Sequence, residues 1–381
     1  MKNKLLVVII ALCLGACSSF TDVDTSVNIE LPAEYEQANR NMTEKSIARW
    51  WRTWNDAQLQ QLIEQGLQQN RDIHIAKSRL NEVNAMLRVV KADLSPALMA
   101  DALAGISRSD SKMNNTGKLL GGGLVATWEP DIWGQKQSDV DALAATALAV
   151  KMQTYGAQML VASRIAENYL RAQYTLAEQA LLKQTVATLG KLQRYVQGRF
   201  DAGQANAYDV QAIETQIQAV KAQQTTLDAR FAAYQRSLAV LTGQIPQGFR
   251  LSKNQLQQAK LLSQLPKPPN GEQPKNLLNK RPDLMAAAAK VQSKAAALAS
   301  AKADFLPRFD LRFLWQTGRL ELSSQLLPDF NGWGSLASFG VQLPLFTAGK
   351  IQANVDAKNA ALKTALLEYE QAILQALAEV D

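Results

Sequence analysis

Apolar residues recur at three- and four-residue intervals from residue 50 to residue 93. Trp50, Trp51 and Trp54 open the pattern, and Leu59, Leu62, Ile63, Leu67, Ile73, Ala76, Leu80, Val83 and Leu87 carry it forward. That period predicts an amphipathic helix within 49–94, ended by Ser95-Pro96 because the residue before a proline is pushed out of the helical region. From Pro96 the pattern becomes that of a hairpin: an Ala/Leu/Ile-rich stretch over 97–106, a polar loop of Ser, Asp and Asn, and a return over 119–129. Alternation is poor there and much clearer in a second hairpin, 306–346. Phe309, Leu311, Phe313 and Trp315 fall on one face against Arg308, Asp310, Arg312 and Gln316. On the partner strand Ala337, Phe339, Val341 and Leu343 face outward, with Gly334, Leu336, Ser338, Gly340 and Gln342 on the other side.

Large apolar residues alternating with polar or small ones suit a transmembrane strand that meets lipid on one side and a wet lumen on the other. Trp128, Trp133, Trp315 and Trp333 are placed near strand ends, where aromatic girdles lie. Taken alone, the hairpins also fit a half-buried sheet in a soluble domain. If they span a membrane, four strands cannot close a barrel and open edges are not tolerated in lipid, so several chains must pool them as a homo-oligomer.

Between the hairpins, residues 134–197 carry no proline and only isolated glycines. One helix over that range would be about 95 Å long. The segment Gly198-Arg199-Phe200-Asp201-Ala202-Gly203-Gln204 breaks it, and a second helix, 205–241, returns antiparallel. Gly198 and Gly203 permit the reversal, and Asp209 suits the positive end of the return helix. Ala-rich seams along these helices allow close approach, as in a coiled coil or a tunnel wall.

The two hairpins belong to a duplication. Lys91-Ala92-Asp93-Leu94-Ser95-Pro96 returns 211 residues later as Lys302-Ala303-Asp304-Phe305-Leu306-Pro307, and the same shift carries Asp72 onto Asp283, Ala76 onto Ala287 and Ala85 onto Ala296. Each copy is then one supersecondary unit that buries its apolar face against neighbours. The organisation predicted is a leader over 1–16, an anchored extension over 17–48, the first copy's helix over 49–94, hairpin over 95–131 and long helical hairpin over 132–243, then a proline-rich linker over 244–276. The second copy has its helix over 277–305, hairpin over 306–346 and long helix over 347–381. Leu377-Ala378-Glu379 matches Ile165-Ala166-Glu167, and the rest of the first copy, through its helical reversal to Leu241, has no counterpart. By that internal standard the second copy is cut short, which would leave gaps in a tunnel wall and reduce activity.

Residues 1–16 read as a signal peptide: a basic head at Lys2 and Lys4, then an apolar run too short for a stable span. Leu14-Gly15-Ala16-Cys17 has the form of a bacterial lipobox, which makes Cys17 the acylated N-terminal residue, and Ser18 after it favours the outer membrane. Cys13 leaves with the leader, so no internal disulfide can form. The remaining chain keeps 39 basic against 34 acidic side chains, a mild surplus with no basic run interleaved with aromatics. Nucleic-acid binding is therefore not indicated. His74 is the single histidine, and no metal-ligand, nucleophile or phosphate-loop motif is present. No enzyme activity, cofactor or metal is expected.

Taken in order, Arg281-Pro282-Asp283-Leu284, the Ala-rich helix to Ala301-x-Ala303-x-Phe305-x-Pro307, the Leu343-Pro344-Leu345-Phe346-x-x-Gly349 turn, and Arg199-Phe200-x-x-Gly203-x-Ala205-x-x-x-Asp209-Val210 resemble the TolC-like outer membrane factors. The lipobox places the resemblance nearer the OprM/NodT lipoprotein branch. It implies a mainly α chain with membrane β-hairpins, trimeric, in which three protomers share a twelve-stranded barrel in outer membrane lipid and a periplasmic helical tunnel. It further implies the outer membrane channel of a tripartite efflux, or type I secretion-like, system that exports small molecules such as drugs and is fed by an inner-membrane pump through a periplasmic adaptor. The adaptor-facing turn would be Arg199, Phe200, Gly203, Ala205 and Asp209, and the family's pore-narrowing carboxylates would fall in the segment without a counterpart. A periplasmic coiled-coil scaffold lipoprotein without a pore is the alternative, and it leaves the alternating strands unexplained.

Overall fold

The structure, a computed structural model, describes residues 23, 25, 49–108, 116–253, 256, 274–322 and 330–380. Cys17, the leader and most of the anchored extension lie outside the described residues. The chain divides into two compact units, one built from Arg79–Met152 and Leu277–Asp381 with the N-terminal residues to Pro32, the other from Ala33–Ser78 and Gln153–Asn276.

The second of these units is helical. A 3-10 turn, Trp50–Trp54, leads into α1 (Ala57–Gln69), whose first turn is capped by Asp56: its Oδ1 accepts from Leu59 N at 2.9 Å. The expected single helix over 49–94 is interrupted at Asn70, which is extended (φ −63°, ψ 132°) and starts a new helix, α2 (Arg71–Ala92). The apolar period continues across the break, with Leu67 before it and Ile73 after, so periodicity alone could not reveal it. Asn70 Oδ1 accepts from the amides of Asp72 and Ile73, and its Nδ2 donates to the Leu241 carbonyl at 2.9 Å. One buried amide thereby caps α2 and ties it to the end of a distant helix.

Two long helices enter the unit, the first of them from Gln153 onward. Helix α3 (Gln135–Asp201) has 67 residues, about 100 Å at the standard rise. It runs through Gly198, which the sequence placed at its break, because a lone glycine inside a long helix costs only about 1 kcal/mol. Helix α4 (Ala207–Leu241) returns alongside its C-terminal half: Gln179 bonds Asp228 and Gln193 bonds Glu214, an antiparallel register. The core gathers Leu59, Ile63, Ile73, Ile165, Tyr169, Phe231, Leu238 and Leu256. Within it the Tyr169 hydroxyl donates to Asp56 Oδ2 at 2.8 Å, and burial together with this bond pushes the phenol pKa up.

In the other unit, α5 (Pro274–Lys280) precedes α6 (Pro282–Ala303), and α7 (Lys350–Val380) packs antiparallel on α6. Pro282 sits at the start of α6, where its missing N–H is no loss. Arg281 forks onto Asp283 and reaches Glu379 at 2.7 Å, while Lys290 bonds Glu368 further along the pair. Their apolar seam is small: Val291, Ala295 and Leu298 meet Leu362 and Ala365, with Val23 packed against them. The start of α3 joins α6 through Ala149 and Met152 on Ala286 and Ala289, and Thr146 Oγ1 lies 2.9 Å from Ser293 Oγ.

This unit also holds one antiparallel sheet in the order β1-β2-β3-β4: β1 (Ala97–Arg108), β2 (Thr116–Trp128), β3 (Arg308–Leu322) and β4 (Phe330–Gln342). Helix α6 begins and ends 211 residues after α2, and β3 begins 211 residues after β1. The duplication is thus a property of the backbone, with β2 and β3 pairing the two copies at the centre of the sheet.

Candidate functional site

The register gives the sheet two faces of different chemistry. On the outer face Trp128, Leu311 and Phe339 form one row; Leu98, Ala126, Phe313 and Ala337 the next; and Ala100, Leu124, Trp315 and Ser335 a third, with Phe309 and Val341 beside the first. The anticipated set Phe309, Leu311, Phe313, Trp315, Ala337, Phe339 and Val341 therefore shares one face. Leu343 does not join it as a strand residue, since β4 ends at Gln342. Trp315 stands in the middle of β3 rather than near an end, so it cannot belong to an end girdle. Trp128 closes β2, and its indole donates to the Leu94 carbonyl at 3.0 Å. Trp133, beyond the strand, donates to Pro307 O at 2.7 Å and lies 6.5 Å from Phe309, which stacks on Phe339 at 6.0 Å.

Most of this outer face is uncovered. Leu98, Leu120, Phe313, Phe339 and Val341 are exposed, the reverse of what a sheet in water does with its large apolar residues. Both edge strands, β1 and β4, also leave one side of their backbone without a strand partner among the described residues. Among the described residues no helix is long and apolar enough to cross a membrane.

The inner face carries Arg308, Asp310 and Arg312 on β3, Asp101 on β1, Gln316 on β3 and Ser338 on β4. It also holds a row the alternation argument passed over: Met99, Val125, Leu314 and Leu336 cross all four strands between polar rows. The sequence does show Leu314 and Leu336 interrupting the polar parity of their strands, but only the register brings them level with Met99 and Val125. Where the sheet meets the helices, Lys136 Nζ donates to the Asp93 and Glu129 carbonyls at 3.0 Å, and Asp304 accepts from Gln135 and Arg308.

At the α3–α4 reversal the sequence-predicted residues build the turn itself. Gly203 adopts φ +75°; its N–H donates to Phe200 O at 2.9 Å and that of Gln204 to Arg199 O at 2.7 Å, a left-handed helix terminus that favours glycine. Arg199 Nη2 also reaches Gln204 O. Ala205 lies in the turn, one residue before the cap, so the return helix starts later than anticipated. Asp209 completes a reciprocal capping box with Asn206, at 2.9 and 3.3 Å. Phe200 is partly exposed and Tyr208 is 78% exposed, so aromatic surface surrounds the turn.

The family model of outer membrane efflux proteins matches residues 62–244 and 273–381. Over 99% of its length and 81% of the relative's, the chain is 25% identical to the cation efflux system protein CusC of Escherichia coli O6:H1. It is 27% identical to the probable efflux pump outer membrane protein TtgC of Pseudomonas putida over its full length and 79% of that protein. The fold matches the open state of the MtrE outer membrane channel of Neisseria gonorrhoeae with a TM-score of 0.79, covering 94% of this chain and 80% of that one at 22% identity.

Proposed function

This chain belongs to the outer membrane efflux protein family, and we propose that three copies of it close a single barrel of twelve strands, which passes small molecules outward for an inner-membrane pump. It is an outer membrane efflux channel with a periplasmic helical domain. The observation that carries a barrel shared between copies is the sheet: one exposed apolar face, continuous across four strands, with both edges open. In hydrocarbon each unpaired backbone group costs several kcal/mol, so the sheet is stable there only if β1 of one copy pairs with β4 of the next.

Cys17 is proposed as the acylated anchor, and the α3–α4 turn as the contact for a periplasmic adaptor. The capping network of Arg199, Gly203 and Asp209 supports a rigid reversal, which leaves Phe200 and Tyr208 as the apolar surface an adaptor would cover. The test is single-channel recording on the purified full chain in planar bilayers, with its mass measured in parallel. A trimer with discrete conductance is expected. A monomer that conducts nothing would defeat the reading and favour the scaffold alternative.

A further inference from the structure

A recess of about 530 Å³ lies in the helical unit, between helix α4 and the segment that follows it. One wall is Ala232, Gln235 and Arg236, spaced three and four residues apart and so on one face of α4. The opposite wall is the consecutive run 246–250, in which Gly248 takes a left-handed φ of +87°.

Gln235 does not fit a purely structural wall. The buried stripe of α4 runs Ile217, Val220, Leu227, Phe231, Gln235 and Leu238, apolar at every position but this one. Only 9% of Gln235 is exposed, yet its side chain has no hydrogen-bond partner among the described residues. The other buried polar side chains described in this unit, Asp56, Asn70, Thr154, Gln173, Thr175 and Thr242, each make at least one bond within the protein. A buried amide without partners costs free energy that a leucine in the stripe would not, so its place there calls for a partner from outside the fold. The amide is not sealed in the core; it opens on the recess.

The rim is cationic. Arg236 and Arg250 both line it, neither has an ion-pair partner among the described residues, and no acidic residue is among those lining it. Arg250 Nη1 donates to Phe249 O at 2.8 Å, which holds the guanidinium at the loop and leaves its other N–H groups for a ligand. Lys253 adds a third positive charge, with Nζ 5.3 Å from the centre of the Phe231 ring, one turn before Gln235. Half-buried Pro246 and Phe249 supply apolar surface.

Two guanidiniums select an anion, and Gln235 narrows its kind. A sulfate or a phosphodiester offers only acceptors and would leave the Gln235 carbonyl unpaired, whereas a peptide unit offers both a donor and an acceptor to the amide. We infer that this recess binds the C-terminal end of a peptide: its carboxylate meets Arg236 and Arg250, its last peptide group pairs with Gln235, and a small apolar terminal side chain lies against Phe249. The site belongs to this unit alone and is independent of the channel reading.

The test uses the full chain in lipid nanodiscs and acetyl-Ala-Ala as the probe, in its L,L and D,D forms, with binding read by saturation-transfer NMR. Saturable binding of one form with a Kd of about 1 mM is expected, and the same dipeptide ending in an amide should bind about tenfold more weakly. Gln235→Leu should weaken binding about tenfold while the thermal midpoint of the unliganded protein stays equal or rises, because the stripe becomes wholly apolar. A glutamine kept for structure would give the opposite shift in midpoint. Arg236→Gln and Arg250→Gln should each weaken binding about two- to fivefold, the scale of a partly solvated ion pair. Preference for the L,L form points to a protein tail and preference for the D,D form to a cell-wall peptide; either supports the site. Equal affinity of the wild type and Gln235→Leu, equal affinity for the acid and the amide, or no saturable binding of either form overturns it.

Discussion

The two copies of the repeat share a backbone plan and solve it with different side chains. On the outer face the first copy sets Ala100, Gly122 and Ala126 among Leu98, Leu120, Leu124 and Trp128, while the second sets Phe309, Phe313, Trp315 and Phe339 there, with Phe313 directly opposite Ala126. The helices start differently as well. Helix α2 begins at a buried neutral amide, Asn70, whereas α6 begins at a proline next to an exposed ionic fork from Arg281 to Asp283 and Glu379. Duplication therefore preserves where elements begin and lets each copy choose how to hold them: the first by close approach and buried hydrogen bonds, the second by aromatic area and charge.

The sharpest way to break this comparison is to place a charge at one depth on each copy. Ala126 and Phe313 are cross-strand partners on the outer face. If that face meets lipid, Ala126→Arg and Phe313→Arg should both cost about 2–4 kcal/mol despite the different starting residues. In water the change at Ala126 would stay within about 0.5 kcal/mol. Urea unfolding in vesicles measures both, and a tolerated Ala126→Arg would remove the lipid-facing assignment.

A smaller effect is expected at the helix starts. Asn70→Ala should cost about 2 kcal/mol, since it deletes the α2 cap and leaves the Leu241 carbonyl without its partner. Asn70→Asp keeps the cap acceptors and loses only the donor, so its loss should be intermediate, with faster amide exchange at Ile73 reporting the frayed cap in the alanine variant. Equal stability of all three proteins would show that α2 depends on packing alone.

The smallest effect is the acid response of the second copy. Hydrogen bonding from Arg281 holds the Asp283 carboxyl below its ordinary value, with burial opposing and the guanidinium charge adding to the shift. A depressed acid stabilises the fold above its unfolded value of about 4 and loses that contribution as pH falls through the folded value. The difference in thermal midpoint between the wild type and Arg281→Gln should therefore narrow from pH 7 toward pH 3. A difference that stays constant with pH would show that the pair contributes no titrating stability.

The clearest parts of the fold in the sequence were those with strong contrast. Alternation of Phe309, Leu311 and Phe313 with charged neighbours located β3 and its outer face, and the repeated Lys-Ala-Asp segment located the matching element 211 residues away. The 97–129 hairpin was legible only as a hairpin, because Ala, Leu and Gly on both faces leave no parity to read until pairing with β3 supplies it. The break at Asn70 stayed hidden since a one-residue interruption hardly shifts the apolar stripe. For the candidate site, the outer rows on β3 and β4 could be read residue by residue. The inner apolar row could not: it depends on Met99 and Val125 lying level with Leu314 and Leu336, and four-strand register is not a property of any one segment.

The unpaired sides of β1 and β4 have a consequence for how the protein comes to exist at all. In a bilayer, a protomer with open edges has no stable resting form, so insertion and association belong to one equilibrium rather than two. For the proposed barrel of three copies, the population of finished channels then scales with the cube of the concentration of unassembled chains at the membrane. A modest drop in the local supply of chains would empty the membrane of channels far more steeply than it would deplete a barrel closed by a single chain.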